Sequence, residues 1–586
     1  MTGARTPESD TATSSEFRAF IDRDWKRWLE EAPEVATSVG YPGLNDRWTD
    51  DSAAGIAARR RHLAESRATL DRFDRTRLSD GERLNYDLYR ELLVSTEKGL
   101  EYGNDPFPFR LGAPHNTWMP VNQLESIHLT ASDVVDLQPL ETVREYGDLL
   151  ARLDSFPVAI DRNIDLLEAG RTRGFTPPKI TLVGIPDQIA ALIVDDPASS
   201  TLLKAFQHFP AGISPDDRTR LTAEAHRIYR ERVSPALAKL REYFVTTYLP
   251  ACREAVGASA LPNGRDAYAF LVQWHTTTSL TPEQVHEIGM AEVRRIRTAM
   301  ETLITSTGFH GGFAAFNEFI RTDPQFFYGS ADALLDGYRV IAKKTDPALG
   351  RLFGRLPRTQ YGVLPVPEFR APTSPGAYYI SGAPATGRPG YFYANTFKVG
   401  VRPRWEMEAL TLHEGVPGHH LQISLAQEVE DLPEFRRQTG FTAYVEGWGL
   451  YAESLGQELG LYADPYSQFG QLTYDMWRSI RLVVDTGIHA LGWTRERAIQ
   501  FFRENSGKSD QDIQVEVDRY IVWPGQALAY KIGQLKFREL RRTAEQRLGE
   551  RFDVRAFHDA VLEHGALPLG ELESRILRWI DSRPAK

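Results

Sequence analysis

Histidine and glutamate gather in one short stretch of this chain, His413-Glu414-Gly415-Val416-Pro417-Gly418-His419-His420. Three of the fourteen histidines fall within these eight residues. Imidazole nitrogens and carboxylate oxygens suit zinc, and a catalytic zinc takes three protein ligands and keeps a further position open for water or substrate. A nearby carboxylate then receives the proton of the attacking water. His413 and Glu414, directly adjacent, supply one ligand and that base. The stretch predicts a single zinc ion per chain.

The second ligand depends on how the backbone runs. Two histidines four apart would share one helix face, but position 417 is proline. On an unbroken helix His420 would lie roughly 10 Å along the axis from His413. Two imidazoles so placed cannot reach one ion at about 2.1 Å each. Pro417 removes a helical hydrogen bond and Gly418 frees the backbone, so the helix is expected to bulge or break. A bulge that absorbs three residues brings His420 into place, and one that absorbs two brings His419. His420 is the preferred ligand, with His419 as the alternative. The third ligand is sought on a following helix, where Glu446 and Glu453 share a face among Tyr444, Trp448 and Tyr451. One carboxylate would bind metal while the other orients a histidine, since buried carboxylates need a partner.

These groups need a scaffold, and the rest of the chain reads as helices. The 586 residues are 42% apolar and 25% charged, the balance of a soluble globular protein. The net charge of −10 is spread along the chain and excludes nucleic acid as main partner, because phosphate binding needs a basic stripe. A single cysteine, Cys252, leaves no disulfide framework and no cysteine-rich metal site. The first fifteen residues are polar and no apolar run approaches the ~18 residues of a membrane span, so a cytoplasmic protein without a membrane partner is expected. The expected division is a disordered tail over 1–15, a helical lobe covering the cleft over 16–260, and a catalytic region over 261–586, the last two forming one continuous unit. Phe17, Phe20, Ile21, Trp25, Trp28 and Leu29 mark a first amphipathic helix, and 215–256 carries a long apolar stripe. Thr281-Pro282-Glu283-Gln284 is a capping box that starts a helix running to about Thr307. Between Gly354 and Thr396 prolines and glycines are dense, and Ala377–Ile380 and Tyr391–Thr396 predict a small antiparallel sheet. An edge strand at 391–396 would present Tyr393 and Asn395 to an extended substrate by strand addition. His275 and His564 are read as structural.

Several motifs together resemble the bacterial domain of unknown function 885. They are His413–His420, Tyr391-Phe-Tyr-Ala-Asn-Thr396, Tyr444-Val-Glu-Gly-Trp-Gly-Leu-Tyr-Ala-Glu453, Arg481-Leu-Val-Val-Asp485-Thr-Gly-Ile-His489, and the segment from Arg519-Tyr520 through Pro524-Gly-Gln526 to Tyr530-Lys-Ile-Gly533. The resemblance spans nearly the whole chain, most clearly 265–570. That family is similar in turn to helical gluzincins: Taq-type carboxypeptidases, thimet oligopeptidase and angiotensin-converting enzyme. The resemblance implies a mainly α, two-lobed zincin-like metallopeptidase fold enclosing a cleft, with a small antiparallel sheet beside the active-site helix. It implies Glu446 as third ligand, which leaves Glu453 to orient a histidine. It also implies Tyr530 as donor to the developing oxyanion, with Tyr520 as second choice.

Gln526, on the same predicted face as Tyr530, is expected to bind substrate backbone. Arg519 is placed on a substrate carboxylate or in an internal ion pair. Arg481, Asp485 and His489, spaced four apart, form a polar stripe in which Arg481 or His489 would reach the cavity and Asp485 would orient it. The expected activity is zinc-dependent hydrolysis of short peptides, of carboxypeptidase or oligopeptidase type, with Glu414 as general base. Hydrolysis of a non-peptide amide or related small molecule is the alternative reaction, and an inactive peptide-binding protein is the alternative of another class. The oligomeric state is not readable.

Overall fold

Apolar stripes at helical spacing recur along most of the chain, and the computed structural model folds them as helices, with a small three-stranded sheet over residues 361–394. It describes residues 7–110, 112–368, 371, 374–382 and 387–583, with backbone alone for 7–11. Two units can be distinguished. One comprises Met1–Arg110, Pro114–Gly264 and Pro433–Gln438, and the other Leu111–Ala113, Arg265–Leu432 and Thr439–Lys586. No helix among the described residues is long and apolar enough to cross a membrane.

The first unit is helical. Helix α1 (Pro7–Glu30) buries Phe17, Ile21, Trp28 and Leu29. It starts inside the stretch 1–15 expected as a disordered tail, and residues 1–6 lie outside the described residues. Helix α2 (Val143–Thr172) opens with a capping box between Thr142 and Glu145. Its Leu149, Phe156, Ile160 and Leu167 join Tyr229, Val233, Leu237 and Phe244 in one core. The latter four belong to the long run foreseen from 215 onward, which carries π-helical turns at Tyr229–Val233 and Phe244–Tyr248. Pro235 and Pro250 follow these turns closely. Proline has no N–H and its ring crowds a carbonyl of the preceding turn, which the wider turn accommodates.

The second unit carries the histidine cluster. Helix α3 (Pro282–Ser306) begins with the predicted capping box, Thr281 accepting from the Gln284 N–H and Gln284 from the Thr281 N–H. The sheet holds β1 (Tyr361–Pro365), β2 (Ala377–Ile380) and β3 (Gly390–Ala394) in the order β1-β3-β2. β1 runs parallel to β3, Tyr361 opposite Gly390, and β2 runs antiparallel, Tyr379 opposite Phe392. The sheet is thus mixed, where an antiparallel one was expected. β3 is its central strand, where an edge had been expected. The parallel partner supplies the difference: Gly362 and Pro365 made its segment read as a connection.

After the sheet come α4 (Met407–Glu414), α5 (His419–Gln427), α6 (Thr442–Ser454), α7 (Pro465–His489), α8 (Asp510–Val522) and α9 (Ala529–Leu548). Glycines let three of these helices come unusually close to a neighbour. A Cβ on Gly447 of α6 would stand 2.5 Å from the Gly533 Cα of α9, and one on Gly533 would stand 1.9 Å from the Ala443 carbonyl oxygen. A Cβ on Gly289 of α3 would meet the Leu482 Cβ of α7 at 2.7 Å. Fully buried Lys531 then ties three helices together through Glu292 at 2.8 Å, Asp475 at 2.6 Å and Gln534 at 2.9 Å. This crossing holds Glu446 and Tyr530, which flank the two glycines, in fixed relation. Gly447→Ala should lower stability by about 1–3 kcal/mol, because backbone and not a movable side chain meets the added methyl. The check is a lower urea midpoint at unchanged slope.

Candidate metal centre

The break foreseen at Pro417 is present. Helix α4 ends at Glu414, α5 starts at His419, and the Val416–Pro417 peptide bond is cis. At Gly418 the chain folds back over the end of α4, so closely that a Cβ there would lie 1.9 Å from the His413 carbonyl oxygen and 2.3 Å from that of Leu412. Only glycine fits. Trp448 of α6 donates from Nε1 to the Pro417 carbonyl at 2.8 Å, which fastens the turn to the helix bearing Glu446.

This path brings His413, His419 and Glu446 together, one ligand atom of each lying within 4.8 Å of the others. Glu446 Oε2 is 3.6 Å from His413 Nε2 and 3.5 Å from His419 Nε2. The two imidazole rings stand at 87° with centroids 4.7 Å apart. Gly449 makes room for the first ring, since a Cβ there would lie 2.9 Å from His413 Cε1. Behind it, His413 Nδ1 donates to Glu453 Oε1 at 2.7 Å, and Glu453 is wholly buried. That hydrogen bond fixes the tautomer and turns Nε2 toward Glu446.

The donor set fits zinc. Ligand atoms around a tetrahedral ion at about 2.0–2.1 Å are separated by about 3.3 Å, close to the two distances to Glu446. The electrostatics agree. Burial disfavours a charged His413, but hydrogen bonds to Glu446 and Glu453 outweigh it and raise the imidazole to about 10. Burial also works against ionised Glu446, and the two histidines overcome it, holding the carboxyl well below its usual range. A buried carboxylate so held requires positive charge beside it, which protons or a cation can supply. Glu414 is buried at the end of α4, next in sequence to His413, and its negative charge adds to the proton affinity of that ring.

His420, the preferred second ligand, turns the other way. Its Nε2 donates to the Thr359 carbonyl at 3.0 Å, and its Nδ1 accepts from the Tyr379 hydroxyl at 2.9 Å. Burial lowers this imidazole to about 4, so it stays neutral between the two. The turn absorbs two residues, not three, because α5 restarts immediately after Gly418 and its first residue, His419, faces Glu446.

Other expected residues fall into two groups. Tyr530 lies on α9, its hydroxyl accepting from Arg519 Nη2 at 3.3 Å, while the same guanidinium donates to Gln526 Oε1 at 2.8 Å. Arg481 donates to the Tyr520 hydroxyl at 3.0 Å and to Glu516 at 3.1 Å. Tyr520 also accepts from Trp477 Nε1 at 3.0 Å, and burial raises its hydroxyl far above the usual value. Its oxygen is thus occupied with holding Arg481.

The second group makes contacts other than those expected of it. Asp485 accepts from the Tyr268 hydroxyl at 2.5 Å and the Gly525 N–H at 3.0 Å, and burial raises it to about 7. It pins the turn before Gln526. His489 is wholly buried, 2.9 Å from the Tyr520 carbonyl through Nε2. Asn395 donates inward to the carbonyls of Ala371, Ser374 and Pro375, and Tyr393 stacks on Tyr378 across the sheet with centroids 5.1 Å apart. A central strand has its backbone groups paired on both sides, so 391–394 cannot accept an added strand. Two residues not anticipated, Arg478 and Glu516, stand beside this network. Each lies three residues before an arginine that was anticipated, a spacing that puts both on one helix face.

The chain belongs to the family described as bacterial protein of unknown function (DUF885), which it matches over residues 33–576. It is similar to a solved "putative lipoprotein" of Colwellia psychrerythraea at 27% identity and TM-score 0.88, covering 97% of this chain and 100% of that one. A "putative lipoprotein of unknown function" from Shewanella oneidensis aligns at 16% identity and TM-score 0.69, over 98% of this chain and 100% of that one, which shows the fold. A "putative oligoendopeptidase F" from Bacillus anthracis aligns at 13% identity over 91% of this chain and 86% of that one, and its TM-score of 0.27 is too low to carry an argument. Among curated proteins none matches.

The ligand geometry leads to a direct comparison. His419→Ala should lose bound zinc, with affinity reduced by at least about tenfold, as for loss of a ligand or of its supporting contacts. His420→Ala should retain it, and zinc content by atomic emission after dialysis distinguishes the two.

Proposed function

We propose that this protein is a zinc-dependent hydrolase of amide bonds, acting on short peptides. The single observation that supports this most strongly is the buried His413, His419 and Glu446 group, with Glu414 directly after the first ligand and Glu453 fixing that ligand from behind. A zinc ion held by these residues would supply Lewis acidity toward water and toward the substrate carbonyl. Glu414 takes a proton from the attacking water and delivers it to the leaving amine, so one carboxylate serves as base and then as acid. Tyr530 donates its hydroxyl hydrogen to the oxyanion that develops at the carbonyl. Arg519 holds that hydroxyl by its oxygen, leaving the hydrogen free to point elsewhere.

The name of the similar Colwellia psychrerythraea protein, a "putative lipoprotein", favours work on peptides at the bacterial envelope over the cytoplasmic setting expected from the sequence.

Glu414→Gln keeps the shape of the site and removes the base. It should retain zinc at the wild-type level while hydrolysis of a peptide library, read by mass spectrometry, falls by at least about 100-fold. Unchanged turnover in the zinc-loaded variant would remove Glu414 from the mechanism.

A further inference from the structure

Asp485 of α7 is a carboxyl group wholly shut off from water, and what meets it is neutral. The Tyr268 hydroxyl donates to Oδ1 at 2.5 Å, and the Gly525 N–H lies 3.0 and 3.2 Å from the two oxygens. An ionised carboxylate has about four lone-pair sites to satisfy and, when buried, needs a cation or several N–H donors beside it. The charged groups on the elements packed around it are committed elsewhere. On α7 itself Arg481 pairs with Glu516 at 3.1 Å, and His489 sits 2.9 Å from the Tyr520 carbonyl. Arg519 of α8 shares Glu516 at 3.7 Å. From α3, His286 meets the Thr486 hydroxyl at 2.8 Å. Burial, then Asp485 and last Glu283 of α3, raise the Tyr268 hydroxyl well above its usual value, so it remains a donor. From the helix Arg495–Asn505, Arg497 lies over the Trp493 ring at 4.1 Å.

The turn that this carboxyl holds has little slack. Gly525 has a φ of +85°, in the left-handed region. A Cβ there would stand 3.2 Å from the Leu271 carbonyl and 3.4 Å from His275 Cδ2. His275 is wholly buried and, among the described residues, neither of its ring nitrogens has a partner. Burial pushes that imidazole down to about 3, so it stays neutral and lends Asp485 no positive charge. The turn leads directly into Gln526 and, four residues on, Tyr530, both bonded to Arg519. Burial raises the Asp485 carboxyl to about 7, against the lowering pull of Tyr268 and Gly525.

We propose that Asp485 is a proton-controlled latch, which holds the turn Trp523–Gln526 closed while protonated and frees it on ionisation. The proposal rests on the hydrolase reading for its consequence, that Gln526 and Tyr530 keep their places only while the latch is shut. Closed, the carboxyl keeps its proton up to about pH 7. Opened to water, it gives that proton to solvent at about 3.9. The closed form binds the proton more tightly, so opening becomes easier as pH rises from about 4 and levels off above about 7.

Amide hydrogen exchange reads the latch without any turnover. Zinc-loaded full-length protein is exchanged at pH 5.5 and at pH 8.5, and peptides spanning 521–530 are followed by mass spectrometry. Their opening constant is corrected for the intrinsic exchange rate and measured against the far end of α9. It should rise about 30-fold, the ratio that follows from carboxyl values of about 7 closed and about 3.9 open. In Asp485→Asn, whose side-chain carbonyl can still accept from Gly525, the rise should vanish. In Tyr268→Phe, which removes a hydrogen bond that lowers the carboxyl, opening should go on rising above pH 7 before it levels off. A wild-type rise below about threefold, or an equal rise in Asp485→Asn, overturns the inference. Should Asp485→Asn fail to fold, unaltered levelling in Tyr268→Phe overturns it instead, and the wild-type series decides if neither variant folds. A flat exchange profile in a protein that cleaves peptides removes the latch and leaves the hydrolase reading standing. The full rise in a protein that cleaves none does the reverse.

Discussion

The close passage of Gly418 over the carbonyl of His413 is the constraint on which the candidate site depends. With any side chain at 418 the chain could not fold back on the end of its own helix, and His419 would not come to face Glu446. The turn is also read from outside, by the Trp448 indole on the Pro417 carbonyl. Because Trp448 lies two residues from Glu446 on α6, the same contact sets the distance between the second and third ligands. Gly449 and Gly447 on that helix admit the His413 ring on one side and α9 on the other. Ligand geometry here is a product of backbone contacts at glycine, and the polar groups occupy positions those contacts define.

A second tier of charge surrounds this core. Glu453 holds His413 and stands beside Arg478, so the metal group and the arginine group share one carboxylate. Arg481 and Arg519 reach Tyr530 from two helices, one by stacking and one by a hydrogen bond.

Much of this was legible in the residues, for identifiable reasons. The capping box at Thr281 is a local interaction over three residues, and its helix begins where the pattern places it. Glu446 and Glu453 stood out as carboxylates in an apolar helix, where burial demands partners. His419 against His420 was harder, because the outcome depends on where the chain lands after a break. That landing is decided by the Leu412 and His413 carbonyls and by Trp448, thirty-one positions beyond Pro417. The parallel strand Tyr361–Pro365 was hidden by its own glycine and proline, and with it the central place of β3. Asn395 looked available only because its acceptors, the carbonyls of Ala371, Ser374 and Pro375, come from a stretch of sequence with no pattern to read. Arg478 escaped notice because the polar stripe was counted in fours, whereas its neighbour on the same face is three residues away.

The central claim is that His413, His419 and Glu446, and not His420, hold one zinc ion. Anomalous diffraction from zinc-loaded crystals, measured on both sides of the zinc edge, tests it most directly. The account predicts one peak per chain, about 2.0–2.2 Å from Nε2 of His413, Nε2 of His419 and a Glu446 oxygen, with His420 still on the Thr359 carbonyl. A peak bonded to His420, or crystals soaked in zinc with no peak at these residues, would contradict it.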